Sequence, residues 1–286
     1  MNIKDIPVRV TGPGSQATVG DEITYVDMPG DMATFAAPVI PEPEDVEHMD
    51  GARDAMQWLR QALASYEPGR AAQLANLNAL SDDCRDLVNQ ILGEGEVSVT
   101  GEGELRTRTQ ESVLAGVWRT LFLDADDKVV LDLLEVADVP AVVRRAGEKG
   151  RAIDTDADGV SPELANALPV LVELEAQREQ YATCGEPHSV NLTLLPLSDE
   201  ELEFLDARLG RGPVDILSRA YGKCQVISTA TPNVWWVRYY NSMGTPILTT
   251  IEVVEVPNVV AAAPEDLQDS EARLQEILEP YWSDVA

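Results

Sequence analysis

The chain has 286 residues, 44% hydrophobic and 25% charged, long enough to bury a core of its own without disulfide or metal staples. Fifty acidic residues against twenty-one Lys and Arg leave a net charge of −29, which argues against nucleic-acid binding and docking on anionic membranes, and favours a basic partner. Cys84, Cys184 and Cys224 are scattered and the only histidines are His48 and His188, so no disulfide framework, metal site or cofactor is expected, and a reducing cytoplasm fits.

In chain order, the N-terminus lacks the apolar stretch of a signal peptide, and no run reaches membrane-span length. Residues 21–50 hold nine Asp or Glu and no Lys or Arg; with Pro38, Pro41 and Pro43 the segment is expected to be extended and partly disordered. Helices are expected over 50–66 and 162–182. Between and beyond them runs an internal repeat: shifting the chain by 117 positions aligns 80–143 with 197–260 without a gap, with sixteen identities in sixty-four positions. Leu80-Ser81-Asp82 falls on Leu197-Ser198-Asp199, Gly93-x-Gly95 on Gly210-x-Gly212, Val117-Trp118 on Val234-Trp235, and Val139-Pro140 on Val256-Pro257.

Each copy opens with a capped helix. Ser198 with Glu201 makes a capping box ahead of Leu202, Leu205 and Leu209, and Ser81 precedes Leu87, Val88, Ile91 and Leu92. The glycine pair ends the helix. Three strands follow, 96–100, 112–123 and 128–136 against 213–218, 232–240 and 246–256, and then a short helix at 139–146 or 257–262. Val190, Leu192 and Leu194 alternate as a strand before the second helix, and 264–282 has the pattern of an amphipathic helix with Leu267, Leu274, Ile277 and Leu278 on one side. The expected fold is α+β: two tandem helix–strand–helix–three-strand units, pseudo-symmetric and sharing a sheet or core. The expected divisions are an acidic N-terminal segment (1–48), a first unit (49–146), an acidic linker (147–161) and a second unit with the C-terminal helix (162–286).

Few motifs carry chemistry. Asp154-x-Asp156-x-Asp158-Gly159 opens like a calcium loop but has Ala165 where the closing Glu belongs, so it reads as a solvated linker. Gly93-Glu-Gly95-Glu and Gly101-Glu-Gly103-Glu place carboxylates where a phosphate cradle needs bare amides, and read as turns. No Gly-x-Ser-x-Gly elbow is present, and no catalytic residue is assigned. Cys224, after Lys223, reads as a small buried hydrophobe or, if the lysine lies close, a reactive thiol.

The sharpest signal is the run 232–241. Trp235, Val237 and Tyr239 would share one strand face, matched in the first copy by Trp118, Thr120 and Phe122, and so read as core. The other face changes from Arg119, Leu121 and Leu123 to Trp236, Arg238 and Tyr240, residue types enriched at binding hot spots. Trp236, Arg238 and Tyr240, flanked by Asn233 and Asn241 and with Tyr221 and Cys224 nearby, form the candidate partner-binding surface. The alternative is burial of both faces.

Asn191-Leu-Thr-Leu-Leu-Pro-Leu-Ser198, Leu209 through Cys224, Ser228 through Asn241 and Glu252-Val-Val-Glu-Val-Pro257 together resemble the hydrogenase expression/formation proteins called HupH, HyaF or HoxQ. Gln110 through Trp118 and the N-terminal Met28–Glu44 stretch resemble the same family, and Ala220 departs from it where glycine is common. The resemblance implies a cytoplasmic, non-enzymatic accessory factor in maturation of uptake nickel–iron hydrogenases. Its implied partners are the iron–sulfur small-subunit precursor, whose export signal is basic, and a thioredoxin-like accessory protein. A thiol-dependent role for Cys224 is the alternative.

Overall fold

A computed structural model describes residues 46, 48–148, 150–219, 222–282 and 285. Most of the acidic 21–50 segment, and Tyr221 of the candidate surface, lie outside the described residues. Among the described residues ten strands form one antiparallel sheet: β1 (Gln73–Asn76), β2 (Val97–Gly101), β3 (Arg106–Glu111), β4 (Val117–Leu123), β5 (Val129–Val136), β6 (His188–Asn191), β7 (Arg211–Ser218), β8 (Lys223–Thr229), β9 (Val234–Tyr240) and β10 (Pro246–Val253). Their order is β1-β5-β4-β3-β2-β7-β8-β9-β10-β6. The first half of the chain supplies one side of the sheet and the second half the other. They meet where β2 and β7 pair about Val99 and Ile216, with Val97 opposite Ser218 and Gly101 opposite Val214.

Among the described residues six helices cover the sheet: α1 (Asp50–Ser65), α2 (Asp82–Leu92), α3 (Ala141–Glu148), α4 (Ala167–Cys184), α5 (Asp199–Leu209) and α6 (Pro264–Leu278). One face carries α1, α2 and α6 against Val117, Leu134 and Val136, and α4 and α5 against Val234, Trp236, Ile251 and Val253. On the opposite face Trp118, Trp235, Val99, Ile216 and Val226 pack with Val143 and Ala146 of α3 and Val260 of the 3-10 turn Asn258–Val260. Met56, Leu59, Leu171, Leu174 and Leu205 are fully enclosed, and each such side chain contributes about 1.5–3 kcal/mol through burial. No described helix is long and apolar enough to cross a membrane.

Positions 117 apart hold matching local structure. α2 and α5 start one residue after Ser81 and Ser198, whose hydroxyls accept from Cys84 N and Glu201 N; at Ser198 the Glu201 carboxylate completes the capping box. The second glycine of each Gly-x-Gly pair is needed for close approach: a Cβ on Gly95 would sit 2.2 Å from Ser112 O, and one on Gly212 2.4 Å from Thr229 O. Trp118 Nε1 donates to Ala137 O at 2.8 Å, and Trp235 Nε1 to Val254 O at 3.1 Å.

Several expectations need correction. Each half carries four strands after its second helix, not three. The additional strands are β3 and β8; β3 carries no apolar alternation, since its inward residues are Thr107, Thr109 and Glu111 and both faces are polar, although Thr suits a strand. The expected strand 112–123 begins only at Val117, after a turn in which Ser112 Oγ accepts from Leu114 N. Beyond Asn191 the Val190–Leu194 alternation becomes a 3-10 turn, Leu192–Leu194. The helix expected from 162 begins as a 3-10 turn, Pro162–Leu164, with α4 proper from Ala167. α6, grouped by sequence with the second unit, packs in the first-half core: Leu274 and Leu278 join Met56 and Leu59, and Ser270 Oγ donates to Ala115 O at 3.0 Å.

Candidate functional site

β9 is buried on both faces over its first four residues and half-open over its last three. Val234 and Trp236 point to the α4–α5 side, Trp235 and Val237 to the other. Trp236 is 2% exposed, so of the two readings of this strand the structure places the indole in the core, and its Nε1 meets no acceptor among the described residues. Arg238 and Tyr240 continue the same face toward the surface. The Arg238 guanidinium lies 4.9 Å from the Trp236 ring, a cation–π contact that caps the buried indole. Tyr240 Oη donates to Gln225 Oε1 at 3.1 Å, and Lys223 Nζ stands 6.0 Å from the Tyr240 ring. Gln225 Nε2 in turn donates to both oxygens of Asp215, which also accepts from Arg211 at 3.2 Å. Burial raises the Asp215 carboxyl above the usual carboxylate range even though Gln225 and Arg211 oppose the shift.

The other members of the candidate surface separate from this cluster. Cys224 projects to the opposite face, is 1% exposed and packs in the core with Val226 and Trp235. Burial pushes its thiol up to about 12, against a partly offsetting hydrogen bond with Tyr239, so it is protonated at neutral pH. Asn233 and Asn241 shape turns at opposite ends of β9. Asn233 adopts φ +59, a left-handed conformation asparagine tolerates, and its amide N donates to Gly147 O. Asn241 Oδ1 accepts from Met243 N and Thr245 N, both at 2.9 Å, closing the β9–β10 hairpin.

Sequence reasoning missed the exposed apolar residues at this end of the sheet. Met243 in the hairpin turn is 88% exposed, Ile247 on β10 59%, and Leu194, in the 3-10 turn against β10, 79%. Thr193 Oγ1 accepts from Thr249 N at 2.8 Å and ties that turn to the strand. Leu77, 117 residues before Leu194, is 2% exposed; only tertiary packing distinguishes the two leucines. The acidic loop holds no cation cluster. Asp154 and Asp156 cap their own turns, Arg208 pairs with Asp154, and the Arg208 guanidinium donates to the carbonyls of Asp154 and Asp156. Among the described residues no three His, Cys, Asp or Glu groups converge as metal ligands.

The family model described as HupH hydrogenase expression protein, C-terminal conserved region, matches residues 49–152 and 164–281. The chain is 41% identical to hydrogenase expression/formation protein HoxQ of Cupriavidus necator, over 97% of this chain and 98% of that one. It is 42% identical to hydrogenase expression/formation protein HupQ of Azotobacter chroococcum, over 94% of this chain and 95% of the relative. A solved structure of hydrogenase expression protein HupH from Thiobacillus denitrificans is 34% identical over 38% of this chain and 92% of its own, with a TM-score of 0.37. With both halves of the sheet matched by one family model and near-complete coverage of the curated relatives, the chain belongs to the HupH family of hydrogenase expression/formation proteins.

Proposed function

We propose that this protein is a cytoplasmic accessory chaperone or scaffold in maturation of an uptake nickel–iron hydrogenase, without catalysis of its own. It holds the iron–sulfur small-subunit precursor before export and works beside a thioredoxin-like accessory protein. The family supports the maturation role, and the observation that carries the binding role is the end of β9. There Tyr240 and Arg238 are partly exposed, and Met243 in the hairpin turn, Ile247 on β10 and Leu194 in the 3-10 turn against β10 add exposed apolar side chains at the same end of the sheet, residue types of the kind that anchor protein partners. Trp236 backs this surface from within rather than touching the partner. A thiol route through Cys224 has no support from a buried, protonated sulfur.

The protein is further proposed to be two copies of one unit about a pseudo-twofold axis at the Val99–Ile216 pair, consistent with the mirrored strand order and the two stretches matched by the family model. In chain order the units would run 49–146 and 162–286, joined by the acidic stretch 147–161, with the C-terminal α6 of the second crossing over to the core of the first.

The test is capture of the small-subunit precursor, with and without its signal peptide, by the wild-type protein and by Tyr240→Ala and Ile247→Ser. Either variant is expected to weaken capture by about 2 kcal/mol, roughly thirtyfold, with a stability change below about 1 kcal/mol. Undiminished capture by both variants would remove the surface from the proposal. No capture by the wild-type protein would remove the partner.

A further inference from the structure

Glu135 and Glu252 occupy the same place in β5 and β10, 117 residues apart, on the sheet face that carries Trp118 and Trp235. Glu135 is 2% exposed, and its Oε1 accepts the Ala141 N–H at 2.6 Å, where α3 begins. In the second half, the place of α3 is taken by the single 3-10 turn Asn258–Val260. The side chain of Glu252 has no backbone N–H partner among the described residues; it accepts only from Thr250 Oγ1, at 3.3 Å. The first half also packs the Tyr66 ring on this side, anchored by a 2.6 Å hydrogen bond to Asp138, whereas residue 183 is an exposed threonine.

Where that helix turn and ring are missing, a cavity of about 300 Å³ opens between β9, β10, β6 and the 3-10 turn; its walls include Ser189, Tyr239, Glu252, Val254, Asn258 and Val259. That is the lower end of the size range of ligand pockets, about 300–1,000 Å³. Ser189 pairs with Glu252 across β6 and β10, so a hydroxyl neighbours the carboxylate. Val254 and Val259 supply an apolar wall, and Tyr239 supplies an aromatic one. The chemistry asks for an occupant with an apolar stem and a planar cationic head. A carboxylate takes a guanidinium through two parallel hydrogen bonds, and an aromatic ring stacks on its plane; a compact ammonium matches neither feature as well.

We propose that this cavity binds the guanidinium group of arginine, with Glu252 as its counter-charge and Tyr239 as its stacking surface. It lies on the opposite face of the sheet from Arg238 and Tyr240, so it stands or falls apart from the surface proposed above.

The test is calorimetric titration of the full chain with N-acetyl-arginine methylamide, with N-acetyl-lysine methylamide and free arginine as comparison arms. Saturable binding of the arginine amide at millimolar concentrations is expected, at least tenfold weaker in Glu252→Gln and in Tyr239→Ala and unchanged in Glu135→Gln. Thermal melts establish that the variants fold, and Asn258→Ala at the rim, also expected to weaken binding, serves if Glu252→Gln does not. The proposal is overturned by failure of the arginine amide to saturate, by equal binding of the lysine amide, or by undiminished binding in Glu252→Gln. Tighter binding of the arginine amide assigns the cavity to an arginine within a polypeptide, and tighter binding of free arginine assigns it to the amino acid itself.

Discussion

The middle of β4 and the middle of β9 are the same backbone slot filled in two ways. In β4 the slot holds Arg119, whose Nε and Nη2 donate to the two oxygens of Asp132 at 2.9 and 2.6 Å and whose Nη1 meets Asn89 of α2. The corresponding residues in the second half are Trp236, Thr249 and Asp206, and an indole buried under α4 and α5 replaces the ion pair. The sheet therefore accepts either a desolvated charge pair or an aromatic ring under its helices. The ion pair needs both partners to be tolerable; the ring fills the volume but leaves its Nε1–H without an acceptor among the described residues. In the aromatic solution a cation remains at the edge of the ring, Arg238 over Trp236.

The largest expected effect tests the aromatic half. Trp236→Ala and Trp235→Ala should each cost about 3–5 kcal/mol in urea unfolding, because both indoles are enclosed. A loss below about 1 kcal/mol for Trp236→Ala would return that residue to the surface and break the comparison.

The ionic half should fail differently. Arg119→Met alone leaves Asp132, whose side chain is 4% exposed, without its bidentate partner, and should cost about 3 kcal/mol. Adding Asp132→Leu should restore stability to within about 1 kcal/mol of wild type, since a packed apolar pair can replace a buried ion pair. A double variant no better than the single one would show that Asp132 serves something besides Arg119, with Arg85 Nε at 3.7 Å the first place to look.

A third effect concerns pH. Burial pushes both Glu111 and Glu135 up to about 7 from 4.5. A carboxyl with a raised folded pKa holds its proton better in the folded state. Its stabilisation is full below the unfolded pKa and is lost as pH rises from about 4.5 to about 7. Glu135→Gln should flatten that fall by on the order of 3 kcal/mol across the window, measured as urea midpoints at pH 4.5 and 7.5. A variant with the wild-type pH slope would show that the α3 N-terminus holds Glu135 ionised throughout.

Much of this was legible in the residues. The offset of 117 anticipated where matching helices, glycines and tryptophans recur, because caps, close backbone approaches and indole hydrogen bonds are local demands that leave local marks. Strand β3 was not legible: its buried side chains are threonines and a glutamate, and apolar alternation is blind to them. Nor was the depth of Trp236, since alternation reports which face a residue takes but not what covers that face. Leu77 and Leu194 make the same point, as do Glu135 and Glu252: identical residues, different neighbours, and only the tertiary structure says which is satisfied.

The docking of α6 ties the order of synthesis to the order of folding. The hydrophobic face of α1, with Met56, Leu59 and Leu63, is closed by Leu274, Leu278 and Trp282, which leave the ribosome long after it. At about 5–20 residues per second the first-half helix waits roughly 10–40 s for its lid. Through that interval the nascent chain displays an apolar stripe that the finished protein hides.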